Sequence, residues 1–135
     1  MNVLARLVLG SGRLPEQLRA RLRSESLILL EEGLIGSITW RDYRAPGQYA
    51  NWRKDLVSGA IGISNTSLVV FAGRAKRIDL PLRHPRRSAV EVSLERPDRI
   101  LFAQDAGAFL PDRSGRIEYR LRTAQAGHIH AVLCL

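Results

Sequence analysis

The segment 59–80 limits the fold of this chain more than any other, because it contains three short β-rich runs separated by two turn signals. In the first run, Ile61 and Ile63 alternate with small residues, which is the period-two pattern of a strand. The runs 68–71 and 78–80 follow the sequences Ser-Asn-Thr-Ser and Ala-Gly-Arg, which are typical of tight turns. Strands joined by such short connections run antiparallel. The segment therefore predicts a β-meander.

Strand patterns also occur before and after this meander. Residues 27–43 are rich in β-branched and aromatic side chains, which favour strands. Near the C-terminus, Ile117, Tyr119 and Leu121 alternate with charged residues, as expected of a half-buried strand. An alternating run at 90–94 and a short apolar run at 99–103 bring the predicted total to about seven strands.

A short helix is predicted ahead of the strands. Residues 14–23 place Leu14, Leu18 and Leu22 on one stripe, with arginines around it, which is the pattern of an amphipathic helix. A helix this short is marginal alone. It either packs on the chain's own sheet or contacts a membrane surface or a partner. We assign residues 1–25 to this N-terminal helical extension.

A second helix is predicted after the last strand. Thr123 suits the position before a helix begins, and Ala126 and Ile129 start an apolar stripe at helical spacing. The predicted helix covers 123–133. It completes a single domain, 26–135, because no linker or repeat divides this part of the chain.

The composition excludes several classes of protein. A chain of 135 residues is long enough to form one core. Its only cysteine, Cys134, allows neither an intramolecular disulfide nor a cysteine-based metal site, which is compatible with a reducing cytoplasm. No apolar run approaches the roughly 20 residues of a membrane span. We expect a cytoplasmic protein that is at most peripheral to the inner face of the membrane.

The charge of the chain favours an anionic partner. There are 21 lysine and arginine residues against 13 aspartate and glutamate residues, a formal net charge of +8. Guanidinium groups bind phosphate and carboxylate through paired hydrogen bonds, which is one explanation of the preference for arginine over lysine. A coding bias of the genome is the other explanation. The excess lies in two segments, each with a single acid: Arg6, Arg13, Arg19, Arg21 and Arg23, and then Arg74, Lys76, Arg77, Arg83, Arg86 and Arg87.

Residues 44–54 combine aromatic rings with basic side chains. A Pro-Gly pair and the absence of periodicity predict a loop here. Rings beside cations favour a membrane interface, and a protein partner or a solvated loop fits the same residues. The candidate binding residues belong to this region and to the second basic segment: Arg41, Arg44, Tyr49, Trp52, Arg53, Lys54, Arg74, Lys76 and Arg77.

No motif in the sequence carries catalytic, metal or cofactor chemistry. The Gly-x-Gly-x-x-Gly, Walker and Gly-x-Ser-x-Gly patterns are absent. His128 and His130 would diverge on a helix, and no Asp or Glu close to them in sequence completes a metal site. We expect a non-enzymatic protein without a cofactor or metal.

The sequence of residues 58–71, SGAIGISNTSLVVF, resembles a hairpin of GRAM and bacterial PH-like domains. Ser64 and Ser67 stand where the family pattern has threonine and arginine. Seven strands, the first four in a meander, and a helix after the last strand are also the plan of the pleckstrin-homology superfold. The resemblance extends over 27–133. It implies a mainly β, PH-like barrel of about seven antiparallel strands in two near-orthogonal sheets, capped by the C-terminal helix, with the N-terminal amphipathic helix as an addition.

The resemblance also implies a function. It indicates a non-enzymatic binding module that recruits a protein partner or an anionic membrane surface, with anionic lipid headgroups as ligands, through residues 44–54. Asp55 stands where lipid-binding PH domains have the last arginine of their basic pattern, so phosphoinositide specificity is not implied. Two alternatives remain: a basic small barrel that binds nucleic acid, and a scaffold that forms a homo-oligomer through its N-terminal helix. Exposed aromatic rings on a strand face would favour nucleic acid.

Overall fold

A computed structural model describes residues 11–108 and 110–134. Within these ranges the chain forms two α-helices and seven strands, numbered here in chain order. The helices are α1 (Glu16–Ser24) and α2 (Ala126–Leu133). The strands are β1 (Leu27–Ala45), β2 (Gln48–Ser64), β3 (Ser67–Ala72), β4 (Ala75–Pro81), β5 (Val90–Arg96), β6 (Arg99–Asp105) and β7 (Ser114–Arg122).

The seven strands of the described residues form an antiparallel sheet in the order β4-β3-β2-β1-β7-β6-β5. This confirms the predicted mainly β fold with seven antiparallel strands, a short N-terminal helix and a C-terminal helix. The meander predicted at 59–80 is also confirmed, because Ile61 of β2 lies opposite Val70 of β3, and Leu68 of β3 lies opposite Leu80 of β4. The arrangement of the strands in two near-orthogonal sheets stays a prediction.

The chain divides into two compact units. The first unit consists of Met1–Gly36 and Leu56–Arg87, and the second of Ser37–Asp55 and Ser88–Leu135. The boundary between residues 36 and 37 falls inside β1, and the boundary between residues 55 and 56 falls inside β2. Each unit therefore contains part of both strands, and the units are not separated by a linker.

The core of the first unit forms where α1 packs on the sheet. Leu14 and Leu22 are buried against Ala60 of β2 and Val69 of β3. A methyl group on Gly62 would overlap the side chain of Leu22, so the absence of a side chain at this position lets the helix approach the strand. Of the two interpretations of the N-terminal helix, packing on the chain's own sheet is the one that the structure shows. A second copy would have to contact the helix through its polar face.

The core of the second unit lies between β6, β7 and α2. Phe102 of β6 is opposite Tyr119 of β7, and both side chains are buried. The helix adds Ile129, which is fully buried. The helix begins at Ala126, three residues later than predicted, because the Thr123 hydroxyl accepts a hydrogen bond from the Gln125 N–H group at 3.0 Å and forms a turn ahead of it.

The prediction of a loop at 44–54 is wrong. β1 continues to Ala45 and β2 begins directly after the pair Pro46 and Gly47, with Gly47 in the left-handed region at φ +72°. Positions 48–54 are exposed or half-buried throughout, so neither face of this part of the strand needs apolar residues. The alternation by which a strand is recognised is therefore missing from the sequence.

Gly62→Ala tests the close approach of α1 to β2. The added methyl group meets Leu22 in a packed core, and such overpacking costs about 1–3 kcal/mol of unfolding free energy. Leu22→Ala alone removes core contacts and costs about 2–5 kcal/mol. In the double variant the new methyl group occupies space that Leu22 vacates. In urea unfolding, we expect the double variant to lose about 1 kcal/mol less unfolding free energy than the two single variants lose together.

Gly127→Ala in α2 is the matched control. No atom lies within 4 Å of the added methyl group, so this variant should gain up to about 1 kcal/mol from helix propensity. Strictly additive costs for the variants of Gly62 and Leu22 would contradict a shared contact between them.

Candidate functional site

The hairpin tip, residues 44–54, exposes two large aromatic side chains. Tyr49 is 58% exposed and Trp52 is 60% exposed. Both lie on β2, where side chains alternate between faces, so an odd separation of three places the two rings on opposite faces of the hairpin. The Tyr49 hydroxyl donates a hydrogen bond to the Asn51 side-chain oxygen on its own face. Each face of the hairpin tip therefore carries one exposed ring.

Two arginines lie over aromatic rings in this region. The guanidinium carbon of Arg44 is 4.3 Å from the centre of the Tyr49 ring, and that of Arg53 is 5.1 Å from the centre of the Trp40 ring. Such contacts contribute about 0.5–1 kcal/mol at exposed sites. They hold the charges close to the rings, so a cation and an aromatic surface are available side by side.

The cations of the region differ in what they contact. Arg53 pairs with Asp55 at 3.0 Å, and Arg41 Nε donates to Glu118 at 2.9 Å. Among the residues that the structure describes, Arg44 and Lys54 form no ion pair. The charges available to a partner at the hairpin tip are therefore those of Arg44 and Lys54.

Arg41 belongs to a cluster of three arginines around one buried carboxylate. The side chain of Glu118 is 6% exposed and accepts hydrogen bonds from Arg116 Nε at 2.8 Å, Arg41 Nε at 2.9 Å and Arg120 Nη1 at 3.0 Å. Burial alone would raise the pKa of Glu118, but the three guanidinium groups outweigh it and lower the pKa to about 2. Glu118 is thus a structural anion that orients Arg41.

Sequence reasoning missed this cluster. It extends through Arg116 to Glu91 at 3.0 Å and through Arg120 to Glu95 at 2.9 Å. The alternating charges of β7 were the available signal. They show that these side chains share the polar face of the strand, but the partners on β1 and β5 follow only from the strand order.

The second group of predicted binding residues lies on the β3–β4 hairpin of the first unit. Lys76 Nζ donates to Asp79 at 2.8 Å, and Arg77 Nε donates to the Ala72 carbonyl at 2.8 Å. Arg74 lines an open pocket. The structure therefore gathers Arg41, Arg44, Tyr49, Trp52, Arg53 and Lys54 on the β1–β2 hairpin of the second unit, and places Arg74, Lys76 and Arg77 in the first unit.

The two basic segments of the sequence meet at Asp79. Arg21 of α1 donates to both carboxylate oxygens at 2.8 Å, and Lys76 contacts the same group. The hydrogen bonds from Arg21 are the main reason that the pKa of Asp79 is lowered to about 2. Arg19 is likewise bound by Glu32, while Arg6 lies outside the described residues. Much of the excess charge on α1 is consequently neutralised locally.

The described part of the chain contains no group of three or more His, Cys, Asp or Glu side chains placed to hold a metal ion. His128 and His130 both lie on α2, and the Cys134 side chain is exposed. None of the helices in the described ranges is long and apolar enough to cross a membrane. No protein-family model, no curated protein and no solved structure matches this chain.

Glu118→Gln tests the arginine cluster through its pH dependence. Because the folded-state pKa of about 2 lies below the ordinary value of 4.5, the stabilisation is complete above about pH 4.5 and is lost as the pH falls toward 2. The shift in the pKa of Glu118 corresponds to about 3 kcal/mol of unfolding free energy at neutral pH. We expect Glu118→Gln to lower the free energy of unfolding by that order at pH 7, and its difference from the wild type to shrink in acid.

Asp98→Asn is the matched control for this measurement. Asp98 pairs with Arg122 at 2.9 Å where both side chains are exposed, and exposed pairs contribute about 0–1 kcal/mol. Its unfolding free energy should follow that of the wild type across the pH range. A constant difference between Glu118→Gln and the wild type from pH 7 to pH 2.5 would contradict the assigned role of Glu118.

Proposed function

We propose that the protein is a non-enzymatic binding module of the PH/GRAM-like type, which attaches to an anionic membrane surface through the hairpin tip. The residues that carry the family resemblance, 58–71, cover the end of β2 and most of β3, with Ile61 opposite Val70. The first four strands are consecutive in the sheet, and α2 follows the last strand. These features support the proposed fold, a PH-like barrel of two near-orthogonal sheets capped by α2.

The observation that carries the proposal is the exposure of Tyr49 and Trp52 beside Arg44 and Lys54. Tyrosine and tryptophan rings are enriched at the membrane–water interface because one part is apolar and another is polar. Lysine and arginine close to an anionic surface contribute about 1 kcal/mol each. A hairpin with one ring on each face inserts its end into the headgroup layer while the cations contact lipid phosphates. Such a surface suits the cytoplasmic face of a membrane, which carries the anionic lipids.

Vesicle flotation tests the proposal with neutral phosphatidylcholine vesicles and with vesicles that also contain phosphatidylserine. We expect the full chain to float with the anionic vesicles and to remain with the pellet fraction in their absence. Arg44→Gln and Lys54→Gln should each weaken binding about fivefold, as expected for about 1 kcal/mol per cation. Trp52→Ala should also weaken binding to the anionic vesicles, because it removes the apolar contact.

Two variants control for unspecific loss of charge or apolar surface. Arg96→Gln removes an exposed arginine of the same unit, and Leu110→Ala truncates an exposed apolar side chain. Both should bind as the wild type does. The membrane proposal would be excluded by equal binding to neutral and anionic vesicles, or by control variants that lose as much vesicle binding as the hairpin-tip variants do. The hairpin tip would then be assigned to a protein partner.

Nucleic-acid binding is a second candidate because the exposed rings lie on a strand and not in a loop. Single-stranded bases stack on aromatic side chains held by strands, and basic neighbours contact the phosphates. Fluorescence anisotropy with a labelled oligothymidine tests this function. We would expect affinity to fall with salt at a slope of about −0.7 per phosphate contacted, and Trp52→Ala to weaken binding by about 1–3 kcal/mol. Binding that is insensitive to salt and to Trp52→Ala would exclude it.

A further inference from the structure

The first part of β2 is an edge strand in the second unit. β1 lies on one side of β2, and β3 lies on its other side but pairs only with residues 59–63. Residues 48–55, called the β2 edge here, extend beyond that pairing and belong to the second unit. An edge strand presents backbone N–H and C=O groups that can pair with another extended chain.

The turn between β1 and β2 determines which backbone groups of the β2 edge face outward. β1 ends at Ala45 and β2 begins at Gln48, so the turn has two central residues. Such a turn is closed by a hydrogen bond from the N–H group of its fourth residue to the carbonyl of its first, which directs the Gln48 N–H group toward β1. Alternate residues of an antiparallel strand direct their backbone groups to opposite sides, so Tyr49, Asn51 and Arg53 direct theirs away from β1.

Two contacts between side chains agree with this register. Arg44 lies over the Tyr49 ring, and Arg53 lies over the Trp40 ring. The members of each pair are equally distant from the turn along β1 and along β2, so the register that the turn sets places them directly opposite each other. The pairing of the two strands is therefore in this register both beside the turn and at Arg53.

The two outer edges of the sheet, β4 and β5, carry features that protect a strand edge. The register of β4 with β3 shifts after Val70, and β4 ends in Pro81. The register of β5 with β6 shifts after Leu94, and α2 contacts β5. Bulges, proline and a covering helix all hinder pairing with a further strand. Residues 48–55 contain no proline and are exposed or half-buried throughout, so the β2 edge is accessible to an extended chain.

We propose that the β2 edge binds an acidic peptide segment of a partner protein, which adds to the sheet as an extended strand. The outward backbone groups supply main-chain hydrogen bonds. Arg44 and Lys54, which form no ion pair among the described residues, attract acidic side chains. A second copy of this chain would bring these same cations together, and like charges disfavour such a contact. The inference goes beyond the proposed function, because it uses the backbone of β2 and not the rings of the hairpin tip.

Isothermal titration calorimetry of the full chain tests the proposal with the peptide acetyl-Glu-Val-Glu-Val-Glu-Val-Glu-amide. We expect saturable binding, and at least about tenfold weaker binding of the matched peptide with lysine in place of glutamate, because like charges then face each other. A fully N-methylated form of the acidic peptide keeps every side chain but has no N–H group to donate. It should also bind at least about tenfold more weakly, as expected for lost backbone hydrogen bonds.

Two variants of Asn51 isolate the backbone donor on the protein. Asn51→Pro removes an N–H group on the open side of an edge strand, which is a position where a strand tolerates proline. Asn51→Ala removes the same side chain and retains the N–H group. We expect Asn51→Pro to bind the acidic peptide at least about tenfold more weakly than Asn51→Ala does. The N-methylated peptide gives the same information with the wild-type protein, so the test does not depend on the folding of either variant.

The contribution of charge is measured with Lys54→Gln, which should weaken binding of the acidic peptide about fivefold, as expected for about 1 kcal/mol from one exposed charge. Arg96→Gln removes an exposed arginine of the same unit outside the β2 edge and should bind as the wild type does. Absence of saturable binding, equal affinity for the acidic peptide and its N-methylated form, or equal affinities of the two Asn51 variants would overturn the proposal.

A second copy of the chain is the other possible occupant of the β2 edge, and light scattering of the full chain detects it. We expect the mass of one chain. A mass of two chains that returns to one in Asn51→Pro would assign the β2 edge to a second copy and overturn the proposal. The calorimetric measurements contain no lipid, and vesicle flotation contains no peptide. Failure of the membrane proposal and failure of peptide binding are therefore distinguishable.

Discussion

The contact of α1 with β2 at Gly62 organises the first unit. Residues 57–64 of β2 are buried at every position, which requires cover on both faces of the strand. The leucine stripe of α1 provides cover on one face, and Gly62 lets it come close enough to exclude water. The segment before α1 is also attached to the sheet, because the Gly33 N–H group of β1 donates a hydrogen bond to the Gly12 carbonyl. The helix is therefore held to the sheet by its leucines and by the chain that leads into it.

Local neutralisation reduces the number of cations that this chain, with its net charge of +8, presents to a partner. Asp79 binds Arg21 and Lys76, Glu32 binds Arg19, and Glu118 binds three arginines. Each of these acids is held at the surface of a sheet, where partial burial strengthens the interaction. Net charge alone therefore overstates the basic surface. The cations that matter for binding are those without an acid beside them, and at the hairpin tip these are Arg44 and Lys54.

Much of the fold could be predicted from the sequence because buried faces impose a pattern. The strands at 59–80 and 116–122 alternate, and the stripe of Leu14, Leu18 and Leu22 has helical spacing. The hairpin tip could not be predicted as a strand, because it is exposed on both faces and so has no buried face that would impose an alternating pattern on the sequence. The candidate residues at 41–54 were found from composition, without their geometry.

The hairpin tip offers rings and cations on both faces of a two-stranded segment, which suits an extended surface that is charged throughout and has no fixed shape. Such a surface rewards exposed area and charge, and it does not require the groups that contact it to be held at fixed positions. The Glu118 cluster is the opposite case, because there one buried carboxylate holds three arginines in place. The same excess of arginine thus stabilises the sheet in one place and leaves cations exposed in another.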